Sequence, residues 1–123
     1  FTEEQVWALL EKYKVTPPVP YRLGWGRSSC MTCIFNSPKI WSTISTYYPE
    51  RAQLIAGYEQ KFDCTISRSK LDVVSLSNGI EPFDIQDMEA LVQSKIESYY
   101  LPVFTDNWTV PPGAFNKEGC GSL

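Results

Sequence analysis

The chain has 123 residues, with 11 Lys+Arg against 14 Asp+Glu, and no histidine. This length is typical of one domain with one hydrophobic core, so we expect a single domain over residues 1–123. Without histidine there is no Ser-His-Asp triad, no Cys-His dyad and no His-ligated metal. The net charge of -3 argues against a broad basic surface for nucleic acid.

No apolar run reaches the roughly 18 residues that mark a membrane span, so we expect no membrane partner. The N-terminus lacks the basic region and apolar stretch of a signal peptide, which favours a cytoplasmic location. In that reducing compartment a Cys-x-x-Cys pair is more often metal-binding or redox-active than a structural disulfide. The chain begins with Phe1, and Thr2 opens a helix at once. We therefore expect it to be part of a longer polypeptide, or a processed or trimmed chain.

Capping residues and apolar periodicity predict a mainly α fold with little or no sheet. Thr2 and Gln5 form a capping-box pattern for a helix over residues 3–13. The proline-rich residues 16–20 read as an extended connector, and residues 21–36 as irregular, with a tight turn or close approach around Trp25. The predicted buried face of the helix over residues 3–13 is Val6, Leu9, Leu10 and Tyr13.

Two further helical segments are expected. Ser37 and Pro38 open a helix over 38–61 that is broken at Pro49. Residues 73–76 fit either a short strand or a helix, and residues 78–79 a turn. Asp84 is the predicted cap of a helix over 84–100. The predicted buried faces are Ile40, Trp41, Ile44, Tyr47 and Tyr48; then Leu54, Ile55, Tyr58 and Phe62; then Ile85, Met88, Val92, Ile96 and Tyr99.

Cys30 and Cys33 form a Cys-x-x-Cys pair in a turn-rich stretch just before the second helix. Two thiolates at this spacing can bind one metal ion or share one disulfide. A tetrahedral ion needs two more ligands, which only Cys64 and Cys120 can supply as thiolates. Three interpretations stay open: a metal site, a redox pair, or two packing residues buried among Ile34, Phe35 and Trp41.

Arg22 and Arg27 lie among glycines and aromatic residues. Guanidinium groups bind phosphate and sulfate through two hydrogen bonds, and glycines let the backbone approach an anion closely. We therefore predict that both arginines bind an anionic substrate. The alternative is two solvated arginines beside a core tryptophan, Trp25.

Four segments have a distinctive sequence: Thr-Glu-Glu-Gln-Val-Trp at 2–7, Tyr-Arg-Leu-Gly-Trp-Gly-Arg at 21–27, Cys-Met-Thr-Cys-Ile-Phe at 30–35, and Trp-Thr-Val-Pro-Pro-Gly-Ala-Phe at 108–115. Together they resemble the phosphoadenosine phosphosulfate reductase family, in particular its phage and bacterial reductase-like members. The resemblance covers most of the chain, and the block around the two cysteines is its specific part.

That family has an adenine-nucleotide alpha-hydrolase-like α/β fold, with a Ser-Gly-Gly-rich phosphate loop in its N-terminal half. None of the seven glycines here are adjacent, so no such loop exists in the chain. The resemblance therefore implies the C-terminal portion of such a protein, inactive alone. Its expected partners are the missing nucleotide-binding half, or a separate subunit, and a thioredoxin-like reductant.

The resemblance also assigns roles to the candidate residues. Arg22 and Arg27 would bind the sulfonucleotide. Cys120 would be the nucleophile, although its Glu-Gly-Cys-Gly context has one Gly more than the family's Glu-Cys-Gly and no following His. Cys30 and Cys33 match a Cys-x-x-Cys that holds a four-iron cluster in some relatives, but the adjacent cysteine pair of that cluster motif is absent. The alternative function is a small helical module that binds zinc or an iron–sulfur cluster through these cysteines and serves a partner.

Overall fold

The computed structural model describes residues 1–28 and 30–116. Over these residues the chain is helical, with an isolated antiparallel bridge between Val15 and Phe104 and no strand, which confirms the mainly α prediction. The helices described are α1 (Glu3–Lys12), α2 (Val19–Leu23), α3 (Pro38–Tyr47), α4 (Pro49–Phe62), α5 (Val73–Ser77) and α6 (Met88–Ser94).

The described residues divide into two compact units. Unit 1 comprises Phe1–Ser28 and Ile85–Asn116, and the described part of unit 2 is residues 30–84. The expectation of one domain stays a prediction. None of the helices in the described residues is long and apolar enough to cross a membrane.

Unit 1 is built on α1, α2 and α6. The Thr2 side chain accepts from the Gln5 N–H, and the Gln5 side chain accepts from the Thr2 N–H, which confirms the capping box. The buried Trp7 indole meets the Tyr21 ring edge-on, with 5.0 Å between ring centroids. The other buried apolar side chains of this unit are Leu23, Trp25, Ile85, Ala90, Leu91 and Leu101.

The backbone around Trp25 is approached closely, as the glycines on either side of it predict. Gly24 ends α2 in the left-handed region, at φ 115°. Gly113 donates its N–H to the Tyr21 carbonyl at 2.7 Å, and Asn116 Nδ2 donates to the Gly24 carbonyl at 2.7 Å. A Cβ at position 113 would collide with the backbone of residues 21 and 25, so this position requires glycine.

Unit 2 is organised around α3. Ser37 caps this helix by accepting from the Ile40 N–H, as predicted. Thr43 is fully buried, and its hydroxyl donates to the Lys39 carbonyl and accepts from the Phe83 N–H. Helices α4 and α5 pack against α3. The predicted apolar face of α3 is confirmed, since Ile40, Trp41, Ile44 and Tyr48 are buried.

A carboxylate is the buried residue of α4. Glu59 is 8% exposed, and its two oxygens accept from the backbone N–H groups of Ile66 and Val73, each at 3.0 Å. The carboxylate thereby ties the loop after α4 and the start of α5 to the helix. Because both oxygens have backbone donors, its burial is compensated by hydrogen bonds.

The predicted helix over 84–100 is wrong in its bounds. Asp87, not Asp84, caps the helix by accepting from the Ala90 N–H, and α6 ends at Ser94. The buried Gln93 side chain explains the early end. Its Nε2 donates to the Ser98 carbonyl and its Oε1 accepts from the Tyr100 N–H, so it holds residues 95–100 in a loop. The predictions of an extended connector over 16–20 and an irregular segment over 21–36 are also wrong in part, because α2 spans Val19–Leu23.

The predicted buried faces of α1, α4 and α6 are wrong for most of their residues. The side that is buried carries Trp7 in α1, Glu59 in α4, and Ala90, Leu91 and Gln93 in α6. Periodicity marks a face that can be buried, but the neighbouring elements decide which face is buried. The predicted face residues that are exposed are Val6, Leu9, Tyr13, Leu54, Tyr58, Phe62, Met88, Val92, Ile96 and Tyr99.

Candidate functional site

The Cys30–Cys33 segment belongs to unit 2 and forms turns directly before α3. Asn36 fixes these turns from inside. It is 5% exposed, its Nδ2 donates to the Met31 carbonyl at 2.6 Å, and its N–H donates to the Cys33 carbonyl at 3.1 Å. The backbone of the pair is therefore held by a buried side chain at the entrance of α3. Sequence reasoning missed Asn36, although a buried amide just before a capping Ser37 fits this role.

The two thiols differ in exposure. Cys30 is exposed, Cys33 is partly exposed, and no disulfide joins the cysteines of the described residues. Ile34 and Phe35 are 45% and 39% exposed, so they do not form a core around the pair. Packing is therefore the wrong interpretation for Cys30, whose thiol is available to a reaction partner.

Arg68, an arginine that the sequence analysis did not identify, lies beside the Cys30–Cys33 segment. The Arg68 guanidinium carbon lies over the Phe35 ring, 5.2 Å from its centroid, which is within cation–π distance. A guanidinium can also bind an anion through its N–H donors. The sequence offers no signal for Arg68, because more than thirty positions separate it from the ring.

The described residues give no support to a metal centre. Among them, no group of three or more Cys, Asp or Glu side chains is placed to hold a metal ion. Cys64 is exposed after the end of α4, at a surface cavity of about 280 Å³, and does not form such a group with Cys30 and Cys33. Cys120 lies outside the described residues, so its predicted roles as nucleophile and as ligand stay predictions.

Arg22 in unit 1 is engaged by two carboxylates. Its Nε lies 2.7 Å from Asp87 Oδ2, and its Nη2 lies 3.1 Å from Asp87 Oδ1 and 3.3 Å from Glu89 Oε1. Burial is the largest single influence and lowers the pKa of Arg22, but hydrogen bonds and charge from Asp87 and Glu89 together outweigh it. The pKa of Arg22 is therefore raised above its usual value.

These three charged side chains are among the residues that line a cleft of about 150 Å³ within unit 1. Trp108 lines it too, and its indole N–H donates to the Val15 carbonyl at 2.9 Å. Asp87 and Glu89 thus engage the Nε and Nη2 donors of Arg22 and surround its charge with two carboxylates, which disfavours an anion at this guanidinium. Arg27 is exposed in the same unit, beyond the end of α2.

No family model, no curated protein and no solved structure matches the chain.

Proposed function

We propose that this chain is the C-terminal part of a phosphoadenosine phosphosulfate reductase-like protein and supplies thiol and anion-binding residues for sulfonucleotide reduction. The observation that carries the proposal is the Cys30–Cys33 segment. It holds an exposed thiol next to a partly exposed one, on a backbone fixed by Asn36. The segments that resemble the family support the same conclusion.

A pair of thiols can supply the two electrons that this reduction needs. Conversion of a sulfonucleotide to sulfite takes two electrons, which a dithiol supplies as it becomes a disulfide. The Cys30 thiolate attacks the sulfur, so that a sulfur–sulfur bond forms, the bond from sulfur to the phosphate oxygen breaks, and the nucleotide phosphate leaves with that bond's electron pair. Cys33 then attacks Cys30 Sγ, so that the Cys30–Cys33 disulfide forms and the bond from Cys30 Sγ to the sulfonate sulfur breaks. Sulfite leaves with the electron pair of that sulfur–sulfur bond, and both thiol protons pass to water. A thioredoxin-like dithiol restores the pair.

Exposure favours Cys30 for the first attack, because substrate can approach an exposed sulfur. Cys120 is the other candidate nucleophile, on the family resemblance alone. Arg22 and Arg27 are the candidates for binding the anion, on the family resemblance; Arg27 is exposed, and Arg22 is engaged by Asp87 and Glu89. Without a phosphate loop the chain lacks the backbone amides that normally neutralise phosphate charge, so it is inactive alone.

The alternative, a cysteine-ligated zinc or iron–sulfur module, would need ligands from beyond the described residues, because these hold no three-ligand group. No observation in the structure favours it over the dithiol.

The test is sulfite release by the product of the full reading frame that encodes this segment, with phosphoadenosine phosphosulfate or adenylyl sulfate and thioredoxin. We expect release by the full product, none by the 123-residue chain, and loss in the Cys30→Ser variant of the full product. The matched control is Cys64→Ser, which removes an exposed thiol elsewhere in unit 2 and should keep the activity. Sulfite from the isolated chain, or full activity after Cys30→Ser, would contradict the proposal.

A further inference from the structure

The outward face of α4 carries apolar side chains that the described residues leave uncovered. Leu54 is 52% exposed and Tyr58 48% exposed, one helical turn apart. Glu50 and Lys61 lie on the same side of the helix, because eleven residues make just over three whole turns. Glu59, the buried residue of α4, lies on the opposite side. The face is therefore an apolar centre with an acidic N-terminal end and a basic C-terminal end.

Gly57 occupies the middle of this face. A Cβ at this position would meet no heavy atom within 4 Å, and the backbone is helical. Glycine inside a helix costs about 1 kcal/mol relative to alanine. No steric reason for glycine is found within the described chain, so the flat surface above Gly57 is free to receive a side chain from another molecule.

The face is complementary to itself when turned end to end. In an antiparallel pair of α4 helices, the register that sets Leu54 opposite Gly57 of the second copy also sets Glu50 opposite its Lys61. Both pairs are centred on the same point, between residues 55 and 56. Twofold symmetry repeats each contact, giving two Leu–Gly contacts and two ion pairs. Within one copy Glu50 and Lys61 are about 16 Å apart along the helix, so they do not pair with each other.

We propose that two copies of this chain associate through α4, antiparallel, with Leu54 of each copy packed on Gly57 of the other and Glu50 paired with Lys61. A second copy is the occupant that the charges favour, because each end of the face attracts the opposite end of an identical face. One helix face buries less than the roughly 800 Å² per partner of a standard interface. We therefore expect a weak dimer, with a Kd of about 10 µM to 1 mM.

Sedimentation equilibrium of the full 123-residue chain, with a thiol reductant to exclude disulfide dimers, tests the proposal. We expect the chain to pass from monomer to dimer between about 10 µM and 1 mM. Glu50→Lys and Lys61→Glu should each raise the Kd by about 10-fold or more, because each creates two like-charge pairs. An equal mixture of these two variants should regain dimers, as should the double variant.

Recovery in the mixture separates pairing from helix stability. Glu50 and Lys61 also suit the dipole of α4, so a purely structural role predicts that the double variant is the weakest helix. Circular dichroism establishes that each variant is folded. Glu11→Lys makes the same charge change on α1 in the other unit and should leave the Kd unchanged.

Gly57→Gln provides an independent check. Since the position is open and helical, the substitution is tolerated in the monomer, but its side chain fills the surface that receives Leu54. We expect a folded monomer. A chain that stays monomeric throughout the concentration range leaves the face to a different polypeptide and overturns the proposal. So does a dimer that Glu50→Lys and Gly57→Gln both leave intact.

Discussion

Arg22 and Asp87 are joined at two points, with Nε 2.7 Å from Oδ2 and Nη2 3.1 Å from Oδ1. The same Oδ1 accepts from the Ala90 N–H, so Asp87 both caps α6 and holds the end of α2. Within unit 1 the pair links two helices that are distant in sequence. Arg22 thereby acquires a structural role that its glycine-rich surroundings do not indicate.

Removal of Asp87 should destabilise unit 1 measurably. Asp87→Ala loses the ion pair and the helix cap together, and we expect the free energy of unfolding to fall by about 1.5–3 kcal/mol. Arg22→Lys should cost less, because it keeps the charge but loses the two-point geometry. Urea unfolding measures both. The control is Asp106→Ala, whose 98% exposed carboxylate lies 3.9 Å from Lys14 and should contribute less than about 0.5 kcal/mol.

The buried carboxylate of Glu59 gives a second stability prediction. Glu59→Gln keeps one acceptor oxygen but turns an NH₂ group toward a backbone N–H of Ile66 or Val73. An unsatisfied buried donor costs about 1–3 kcal/mol, and we expect a loss of that size in urea unfolding. The same substitution at the exposed Glu97 should change stability by less than about 0.5 kcal/mol. Equal effects at the two positions would show that the hydrogen bonds of Glu59 contribute nothing.

Two glycines should respond to alanine in opposite directions. Gly113→Ala forces a Cβ against backbone atoms, including the Tyr21 carbonyl oxygen at 2.8 Å, and should destabilise by about 1–3 kcal/mol. Gly57→Ala meets no atom within 4 Å inside a helix and should stabilise by about 0.5–1 kcal/mol. Thermal unfolding followed by circular dichroism at low concentration compares the two. A stable Gly113→Ala chain would refute the close approach of residue 113 to α2.

The lowered pKa of Asp72 predicts that the stability of the fold falls at acid pH. Hydrogen bonds from Ser75 lower the pKa of Asp72; the larger effect comes from the Ser75 side chain and the smaller from its backbone N–H. The stabilisation is therefore complete above the unfolded-state pKa of about 3.9 and is lost as the pH falls through the lower folded-state pKa.

Asp72→Asn tests this dependence, because its amide oxygen can still cap α5 but does not titrate in this range. Between about pH 6 and pH 3, the urea midpoint of the unchanged chain should fall further than that of the variant. Parallel curves for the two chains would show that Asp72 is not coupled to folding.

Local signals in the sequence predicted the beginnings of helices well. Thr2 with Gln5, and Ser37 with Pro38, act within one helical turn, so their geometry needs no tertiary context. The sequence predicts the cap of α6 three residues early, at Asp84. Both aspartates suit a cap, and Asp87 is the one that also meets Arg22, which is 65 positions away.

The parts that the sequence did not predict depend on long-range contacts. Glu59 was not expected to be buried, because its burial requires two backbone donors that a loop brings back to α4. The segment Cys30–Cys33 was found from the sequence, but Asn36 beneath it and Arg68 beside it were not. Spacing identifies reactive side chains, whereas the groups that position them come from elsewhere in the fold.

The central claim is that Cys30 and Cys33 act as one dithiol, and a disulfide map tests it most directly. In a chain carrying Cys64→Ser and Cys120→Ser, we expect oxidised glutathione to produce a Cys30–Cys33 disulfide, identified by peptide mass mapping and reopened by thioredoxin. Adding Cys30→Ser should leave only mixed disulfides on Cys33. The claim is contradicted if Cys30 and Cys33 can both still be alkylated after oxidation. It is also contradicted if, in the chain with all four cysteines, the two thiols are protected from alkylation and a chelator removes that protection.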